Sequence, residues 1–434
     1  MKKISILLLL AASFTLTACV DDASDVTKVA EGNKVTDLKV PSEFDWKTTG
    51  AVTCNITSSK STLVTVATSA TEEPFASFYA GGTADAVQLS MPLAVKTLFV
   101  SYKTATGVST PKAVPVINKA ITFAVGSDSA APAPASVGTR AFGDIDMDRE
   151  DGVVYIPAKK NGWGTMLFED LWPSYGDYDF NDMVANYKMQ LYVDSNNQVE
   201  AMMVGVRIKA IGGSLPNDLY LQMTGSVTSD KIGDIILQAP TTKGATMENV
   251  PSIDPKKNRA FFLFAGMRDN KNKPAGSHFL NTERGKEIAD DQMVELCAVV
   301  YFKELIPLSK LTFTAPDFFI MRKDKADKLF EIHCREYEPV FKDAYKQALT
   351  DANKPEPKLW YSSSDEPVWN EHGTIMANKN LVWGLNIPTD IRHAYEKQDF
   401  MVAYPEFKGW VESNGVQNLD WYKHGVKSEL VYKK

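Results

Sequence analysis

The sequence is poor in cysteine, with four in 434 residues. Cys54, Cys297 and Cys334 are scattered through its body, which excludes the dense disulfide framework of small secreted domains. Cys54 lies in an alternating run and is expected to be a small buried residue. Cys297 and Cys334 could pair in an oxidising compartment, and the sequence leaves both states open.

The sequence also lacks an excess of positive charge. It has 47 Lys and Arg residues and 54 Asp and Glu residues, which gives a formal net charge of -7. Because there is no basic stripe either, we expect no nucleic-acid partner. The five histidines lie far apart and form no zinc-ligand spacing. His333 alternates with Ile332 and Cys334 and is expected to be a hydrogen-bonded strand residue.

Apolar runs long enough to span a bilayer are missing as well. The run from Ile4 to Leu16 is too short for a membrane helix, and behind Lys2 and Lys3 it predicts an export signal in residues 1–19. The signal ends in Leu-Thr-Ala-Cys, which is similar to a bacterial lipobox. We therefore expect the membrane as a partner through a lipid anchor at Cys19; an ordinary cleaved signal is the alternative.

Acidic residues follow this cysteine at once. Asp21, Asp22 and Asp25 resemble the short tag that directs many Bacteroidetes lipoproteins to the outer leaflet of the outer membrane. The expected location is therefore the outer membrane, with the protein lipid-anchored and exposed at the cell surface.

Short β-rich runs broken by Gly, Ser and Pro dominate the remainder. They predict a flexible tether at 20–40, a small immunoglobulin-like β-sandwich at 41–125, an Ala/Pro/Ser linker at 126–139 and a larger domain at 140–434. The run 189–193 alternates, which is typical of an antiparallel sheet with one wet face. The predicted fold class is mostly β: an N-terminal β-sandwich plus a larger antiparallel β-sandwich-like domain with a few helices near the C-terminus.

Individual elements can also be predicted. A helix is expected from Pro405 to Ser413, with Phe407, Trp410 and Val411 as its apolar stripe and Asn414-Gly415 as its stop. A second helix is predicted at 342–353. Strands are predicted at 52–56, 63–66, 98–102, 120–123, 189–193, 199–211, 260–264, 294–302 and 318–321.

One segment, residues 168–182, carries the clearest chemical signal. Its oxygen-bearing side chains are Glu169, Asp170, Asp177, Asp179, Asn181 and Asp182. No Lys or Arg occurs from Asn161 to Tyr187, and aromatic residues between the acids favour burial, where carboxylates need a cation. The sequence therefore predicts that these six side chains bind Ca²⁺, which takes six to eight oxygen ligands. A solvated acidic loop is the alternative.

The spacing suggests how the oxygens would converge. If 177–181 is extended, Asp177, Asp179 and Asn181 share one face, with the intervening aromatics on the other. Gly176 would permit the turn that brings Glu169 and Asp170 back to the same point.

A second acidic string, Asp144 to Gly152, lies upstream and superficially resembles an EF-hand loop. Arg149 stands where the loop needs glycine, and Tyr155 stands where it needs glutamate. We expect a solvated end of the linker, with additional ligands for the main site as the alternative.

Arg140-Ala141-Phe142 and the later FEDLWPSYGDYDFNDMV resemble the LruC-domain family of bacterial surface lipoproteins. Residues 44–49, Glu331-Ile332-His333 and 383–388 resemble further parts of that family. The resemblance implies a calcium-type GDxDxND loop and assigns no biochemical activity. Many relatives carry a thrombospondin-like calcium repeat where this chain has an Ala/Pro linker, so no second calcium array is expected.

Two classes of function remain. A calcium-stabilised lipoprotein that binds or adheres to an extracellular glycan or protein is favoured, because no catalytic constellation is found. The alternative is a polysaccharide-active enzyme with paired carboxylates, either Asp177 and Asp179 or Glu169 and Asp182. Possible ligand-binding aromatics lie in an irregular stretch, where they could equally pack beneath a loop; they are Trp360, Tyr361 and Trp369.

Overall fold

Paired β-strands build the part of the chain that the structure describes. The computed structural model describes residues 37–82, 87–131, 145–223, 227–250, 259–311, 316–323, 329–334, 337, 340, 362, 368–369 and 375–433. The predictions for Cys19, for the helix at 342–353 and for Trp360 and Tyr361 lie outside these residues, and so does the side chain of Trp369.

The strands before residue 131 match the short β-rich runs of the sequence. They are β1 (Thr49–Thr57), β2 (Thr62–Ala67), β3 (Ala76–Ala80), β4 (Val87–Pro92), β5 (Thr97–Thr104), β6 (Gly107–Val108), β7 (Lys112–Pro115) and β8 (Ala120–Ala124).

The strands after residue 145 are longer. They are β9 (Val153–Ile156), β10 (Gly164–Phe168), β11 (Met183–Val193), β12 (Gln198–Ala210), β13 (Asn217–Gln222), β14 (Ile232–Gln238), β15 (Thr246–Val250), β16 (Phe261–Ala265), β17 (Val294–Pro307), β18 (Asp317–Lys323), β19 (Leu329–His333), β20 (Val368–Trp369), β21 (Ile375–Met376) and β22 (Gly384–Ile387). Each strand predicted in the sequence overlaps one of these elements.

Among the described residues, the α-helices lie near the C-terminus, as predicted. They are α1 (Phe400–Ala403) and α2 (Glu406–Glu412). Phe407, Trp410 and Val411 of α2 are fully buried, which confirms the predicted apolar stripe. Asn414 and Gly415 adopt positive φ, and the Gly415 N–H donates to the Trp410 carbonyl at 2.9 Å, so the predicted stop is also confirmed.

The described strands form sheets of very different size. The first is three-stranded, in the order β4-β1-β8, and a five-stranded sheet has the order β15-β16-β13-β18-β19. A twelve-stranded sheet runs β14-β17-β12-β11-β9-β3-β2-β5-β6, with β7 on β5 and with β10 between β11 and β22. Most neighbours are antiparallel, and β1 and β8 pair in parallel. The mostly β, sandwich-like fold class is therefore as predicted.

The largest sheet includes strands from both sides of the predicted linker. Ala76 of β3 pairs with Val154 of β9, and the Tyr155 N–H donates to the Phe75 carbonyl at 2.8 Å. Trp46 packs against Trp410 with their ring centroids 6.0 Å apart, so the N-terminal segment also contacts α2. The boundaries at 125 and 140 stay a prediction, but strand pairing and packing connect the two regions.

The prediction of one wet face at 189–193 is wrong. Gln190 and Tyr192 of β11 are buried, as are Met189 and Leu191 on the opposite face. Tyr192 packs in a separate hydrophobic cluster with partners from neighbouring strands, and its hydroxyl donates to Gln190 Oε1 at 2.7 Å. Because both faces are covered, this strand belongs to the interior of the molecule.

The described cysteines are buried thiols. Cys54 is 5 % exposed in β1, which confirms its predicted role as a small core residue. Cys297 in β17 and Cys334 after β19 are also buried, and neither forms a disulfide. Of the two states that the sequence left open, the structure therefore has the reduced one.

A buried charged triad connects β18 and β19. The His333 ring contacts Asp317 through Nδ1 at 2.8 Å and Glu331 through Nε2 at 3.0 Å, and all three side chains are fully buried. This confirms that His333 is a hydrogen-bonded strand residue. Burial lowers the pKa of His333, but the charges and hydrogen bonds of Asp317 and Glu331 raise it further, to about 9.

This triad predicts a loss of stability in alkali. Because the pKa of His333 in the folded state is higher than its ordinary value of 6.5, the protonated ring stabilises the fold. This stabilisation is complete below pH 6.5 and is lost as the pH rises through 9. We expect the free energy of unfolding from urea titrations to fall by about 3 kcal/mol between pH 6 and pH 10. The neutral triple variant Asp317→Asn, Glu331→Gln, His333→Gln should lose that fall, whereas His424→Gln, at an exposed site, should keep it. An unchanged fall in the triple variant would contradict the assignment.

Candidate metal centre

The acidic segment is the loop that connects β10 to β11. Phe168 ends β10 and pairs with Met183, which begins β11, so the segment closes an antiparallel pair. The Glu169 N–H donates to the Trp383 carbonyl at 2.9 Å, next to β22. Phe168 and Trp172 are fully buried. The loop is therefore fixed at its base by strands on both sides.

The backbone of this loop differs from the extended strand that the spacing predicted. Tyr178 and Phe180 have φ angles of 57° and 56°, in the left-handed region that aromatic residues seldom adopt. Both rings are nevertheless buried, and they contact each other at 4.5 Å between centroids. The packing of these two rings stabilises the left-handed turns. The acids and the aromatic rings therefore still point to different sides, as predicted, although the segment is not a strand.

Three carboxylates converge within the loop. Glu169, Asp177 and Asp179 each offer an oxygen, and these oxygens all lie within 4.8 Å of one another. Glu169 and Asp179 are buried, whereas Asp177 is exposed at the mouth of the group. We call these three residues the carboxylate cluster. The structure thus brings together three of the six predicted ligands, and it does so at a site with one open side.

Two buried oxygens, one in this cluster and one beside it, have no hydrogen-bond partner among the described residues. They are Glu169 Oε2 and Asn181 Oδ1. The other oxygen of Glu169 accepts the Phe180 N–H at 2.5 Å, and the amide nitrogen of Asn181 donates to Asp179 Oδ2 at 2.7 Å. Buried polar atoms are rarely left unsatisfied, because each unmet hydrogen bond costs about 1–3 kcal/mol.

The cluster strongly disfavours uncompensated negative charge. Burial raises the pKa of Glu169 well above its usual range, and repulsion from Asp182, Asp177 and Asp179 adds to this. The pKa of Asp179 is raised well above its range for the same reasons, with burial first and Asp177 next. A proton or a cation must therefore neutralise part of the site.

Asp170, although adjacent in sequence, points to a different environment. Its Oδ2 accepts the Asn217 side-chain N–H at 3.0 Å, and its backbone carbonyl accepts a hydrogen bond from Arg322. Burial raises the pKa of Asp170 to about 6, and the charges of Arg322 and Arg268 oppose the rise. The structure places Asp170 with cations that come from distant segments, outside the carboxylate cluster.

Asp182 lies between these two environments. Its Oδ2 accepts the Asp170 N–H at 2.7 Å. Burial raises the pKa of Asp182 well above its usual range, followed by repulsion from Asp170. Among the charges that repel Glu169, Asp182 has the largest effect. It therefore belongs electrostatically to the cluster, while one of its oxygens orients the backbone of the loop.

A further acidic residue at this site, Glu396, was not predicted from the sequence. It is half-buried, and burial together with repulsion from Asp177 raises its pKa to about 8. The next residue, Lys397, donates its backbone N–H to Asp179 Oδ2 at 2.8 Å. Asn181 also contacts this segment, since its side chain donates to the Ala394 carbonyl at 3.3 Å. The sequence around Glu396 has no acidic pattern that could have indicated this role. Residues 394–397 come close to the loop only in the folded chain.

The upstream acidic string does not contribute to this cluster in the described residues. Asp146, Asp148, Glu150 and Asp151 are exposed. Glu150 pairs with Lys160 at 2.6 Å. The acids of the described part are thus solvated, as expected, whereas Ile145 and Met147 between them pack against the cluster around Tyr192. Asp144 lies outside the described residues.

The fold and this site define a mostly β protein with a buried carboxylate cluster in a strand-connecting loop. The chain belongs to the family described as Domain of unknown function (DUF4842), whose profile matches residues 197–422. The match includes Glu396 and begins after the acidic loop, so the LruC-domain resemblance of that loop stays a prediction.

One solved structure has a similar fold. It is the crystal structure of a candidate lipoprotein from Bacteroides ovatus, with a TM-score of 0.54 and 19% sequence identity. The similarity covers 86% of this chain and 99% of that chain. At this identity the likeness shows the fold alone. Among curated proteins, none matches the chain significantly.

Gly176 generates a prediction about how tightly the loop is built. It has a φ of 66°, and a Cβ at this position would lie 2.6 Å from Glu169 Oε2. Gly276→Ala is a matched control, because Gly276 has a φ of 78° and a Cβ there would meet nothing within 4 Å. We expect the control to cost about 1–2 kcal/mol of unfolding free energy and Gly176→Ala to cost clearly more. Equal losses in urea titrations would contradict a tight contact between Gly176 and Glu169.

Proposed function

We propose that the carboxylate cluster binds a calcium ion that stabilises the β domain. The observation that carries this proposal is the buried, unpartnered Glu169 Oε2 within a group of three converging carboxylates. An acidic cluster alone would be weak support, since solvated acids often lie close together. A buried oxygen without a donor requires an electropositive partner, and a cation in the cluster would supply it.

The spacing and chemistry of the oxygens support calcium in particular. Calcium–oxygen distances are about 2.4 Å, so ligands on opposite sides of the ion lie about 4.8 Å apart. The oxygens of Glu169, Asp177 and Asp179 fall within that limit. All the predicted donors are oxygens, which hard cations prefer, and an irregular loop suits the flexible coordination of calcium better than the octahedron of magnesium.

The other side chains would have distinct parts in this site. Asn181 offers a buried free oxygen and Asp182 a further carboxylate, so both are candidates for the remaining coordination positions. Asp170 is held by Asn217 and is not expected to be a ligand. Glu396 would add negative charge from the segment that already contacts Asp179 through its backbone.

Calcium should raise the melting temperature of the protein. A ligand that binds only the folded state adds about 2.7 kcal/mol at a hundredfold excess over its dissociation constant. We expect differential scanning calorimetry of the native protein to show a shift of several degrees between millimolar calcium and a chelator. Asp177→Ala and Asp179→Ala should abolish the shift, and Asn181→Ala should reduce it. Magnesium should substitute poorly.

Two variants serve as controls for this experiment. Asp146→Ala removes an exposed acid of the upstream string and should keep the full calcium shift. Asp170→Asn should lower the melting temperature yet keep the shift, because Asp170 lies with Arg322 and Asn217. If calorimetric titration of the native protein detects no calcium binding at millimolar concentration, the proposal is wrong.

We also propose that the protein is a lipid-anchored protein of the outer membrane surface. The lipobox-like sequence at Cys19 supports this, and so does the structural similarity to a candidate lipoprotein. Among the described residues, no helix is both long and apolar enough to cross a bilayer. The anchor would then leave the β domain on the outside. The tether predicted at 20–40 would end before Leu38, because Leu38 is buried in the core.

The anchor can be tested directly in cells that express the protein. We expect metabolic labelling with palmitate to mark the native protein and to fail for Cys19→Ala, which should leave the membrane fraction or remain unprocessed. Cys54→Ala is the matched control, because Cys54 is a buried core thiol and should not affect labelling. Undiminished labelling of Cys19→Ala would exclude lipidation at this residue.

We propose that the part of the protein beyond the anchor and tether binds or adheres to an extracellular glycan or protein without catalysis. Crowding of the acids supports binding over catalysis, because carboxylates held by calcium are poor proton donors. The alternative, a polysaccharide-active enzyme with paired carboxylates, would release reducing ends from a polysaccharide panel. Saturable binding on a glycan array without such release would favour the binding role.

A further inference from the structure

An open cleft lies beside the C-terminal helices, and its lining includes none of the three residues of the carboxylate cluster. It has a volume of about 740 Å³ and is lined by residues 389–392, Tyr404, Tyr422, Lys423 and 425–429. Tyr404 and Tyr422 are almost fully buried, so they form its floor, whereas Lys423, Lys427 and Ser428 are exposed at its rim. The described walls are mainly polar, which disfavours an apolar ligand.

Unpaired positive charge distinguishes this cleft. Arg392, Lys423 and Lys427 line it, and none of the three forms an ion pair with a carboxylate among the described residues. Two acids also line the cleft. Asp390 pairs with the buried Lys209 at 2.5 Å, which leaves Glu429 against three cations in the lining, and Asp420 acts on Tyr422 from just outside it. The cleft is therefore locally positive on a chain whose formal net charge is -7.

The shape of the cleft and its hydrogen-bond donors indicate which class of ligand it can bind. An open cleft admits a chain that runs through it, unlike an enclosed pocket, which takes a small molecule whole. Lysine and arginine donors recognise carboxylate and sulfate groups, and the hydroxyls of Thr389 and Ser428 can exchange hydrogen bonds with sugar hydroxyls. Because the whole protein is acidic, non-specific attraction of polyanions does not account for such a site.

We infer that this cleft binds an acidic polysaccharide, one whose sugars carry carboxylate or sulfate groups, through Arg392, Lys423 and Lys427. The inference deepens the proposed binding role, on which it rests, and it is independent of the calcium site.

The test measures binding of the full-length protein in detergent by affinity electrophoresis at physiological salt. The probes are polygalacturonate, which is carboxylated, chondroitin sulfate, which also carries sulfate, and dextran, which is neutral. We expect binding to at least one acidic probe, and Lys423→Gln, Lys427→Gln to weaken it by about tenfold or more. Arg392→Gln should weaken it in the same direction.

A matched variant separates the cleft from general charge effects. Lys243→Gln, Lys271→Gln removes the same charge from exposed sites outside the cleft and should keep the affinity within about twofold. Equal loss in both double variants, or binding to neither acidic probe, would overturn the inference. Binding to dextran that the cleft variants leave unchanged would also overturn it, while the proposed glycan-binding role would stand.

Discussion

Burial of negative charge at the turn between β10 and β11 constrains the architecture around it. Glu169 and Asp179 are fully enclosed, and removing an ionised carboxylate from water costs several kcal/mol even after relaxation. Backbone donors from Phe180 and Lys397 offset only part of that cost, since one oxygen of Glu169 and one of Asn181 remain without a donor among the described residues. A proton or a cation must therefore offset part of the charge of this loop.

The surrounding glycines show how closely the protein encloses this charge. A Cβ on Gly212 would lie 1.9 Å from Asn181 Oδ1, and one on Gly213 would lie 2.5 Å from Asp170 Oδ2. The Gly212 N–H also donates to the Asn181 carbonyl at 2.9 Å. The acidic loop therefore packs directly against the glycine backbone that follows β12, where a side chain would not fit.

The sequence predicted what depends on local pattern and missed what depends on the fold. Strand positions and the apolar stripe of α2 follow from alternation and from proline and glycine signals, and the grouping of Glu169, Asp177 and Asp179 follows from their charge density. The left-handed turns at Tyr178 and Phe180 do not, because tertiary packing of the rings stabilises a conformation that their residue type disfavours.

Charged partners that come from distant segments of the chain could not be predicted from the sequence either. The absence of Lys and Arg from Asn161 to Tyr187 suggested that every acid of the loop lacks a cation, yet Arg268 and Arg322 reach Asp170 through the fold. This difference divides the six predicted ligands. Arg268 and Arg322 act on Asp170, and Arg268 also acts on Asp182, whereas no arginine is among the charges that shift the pKa of Glu169 or Asp179. Arginines from distant segments thus hold Asp170 in a structural contact, whereas the carboxylate cluster keeps a buried oxygen without a donor among the described residues.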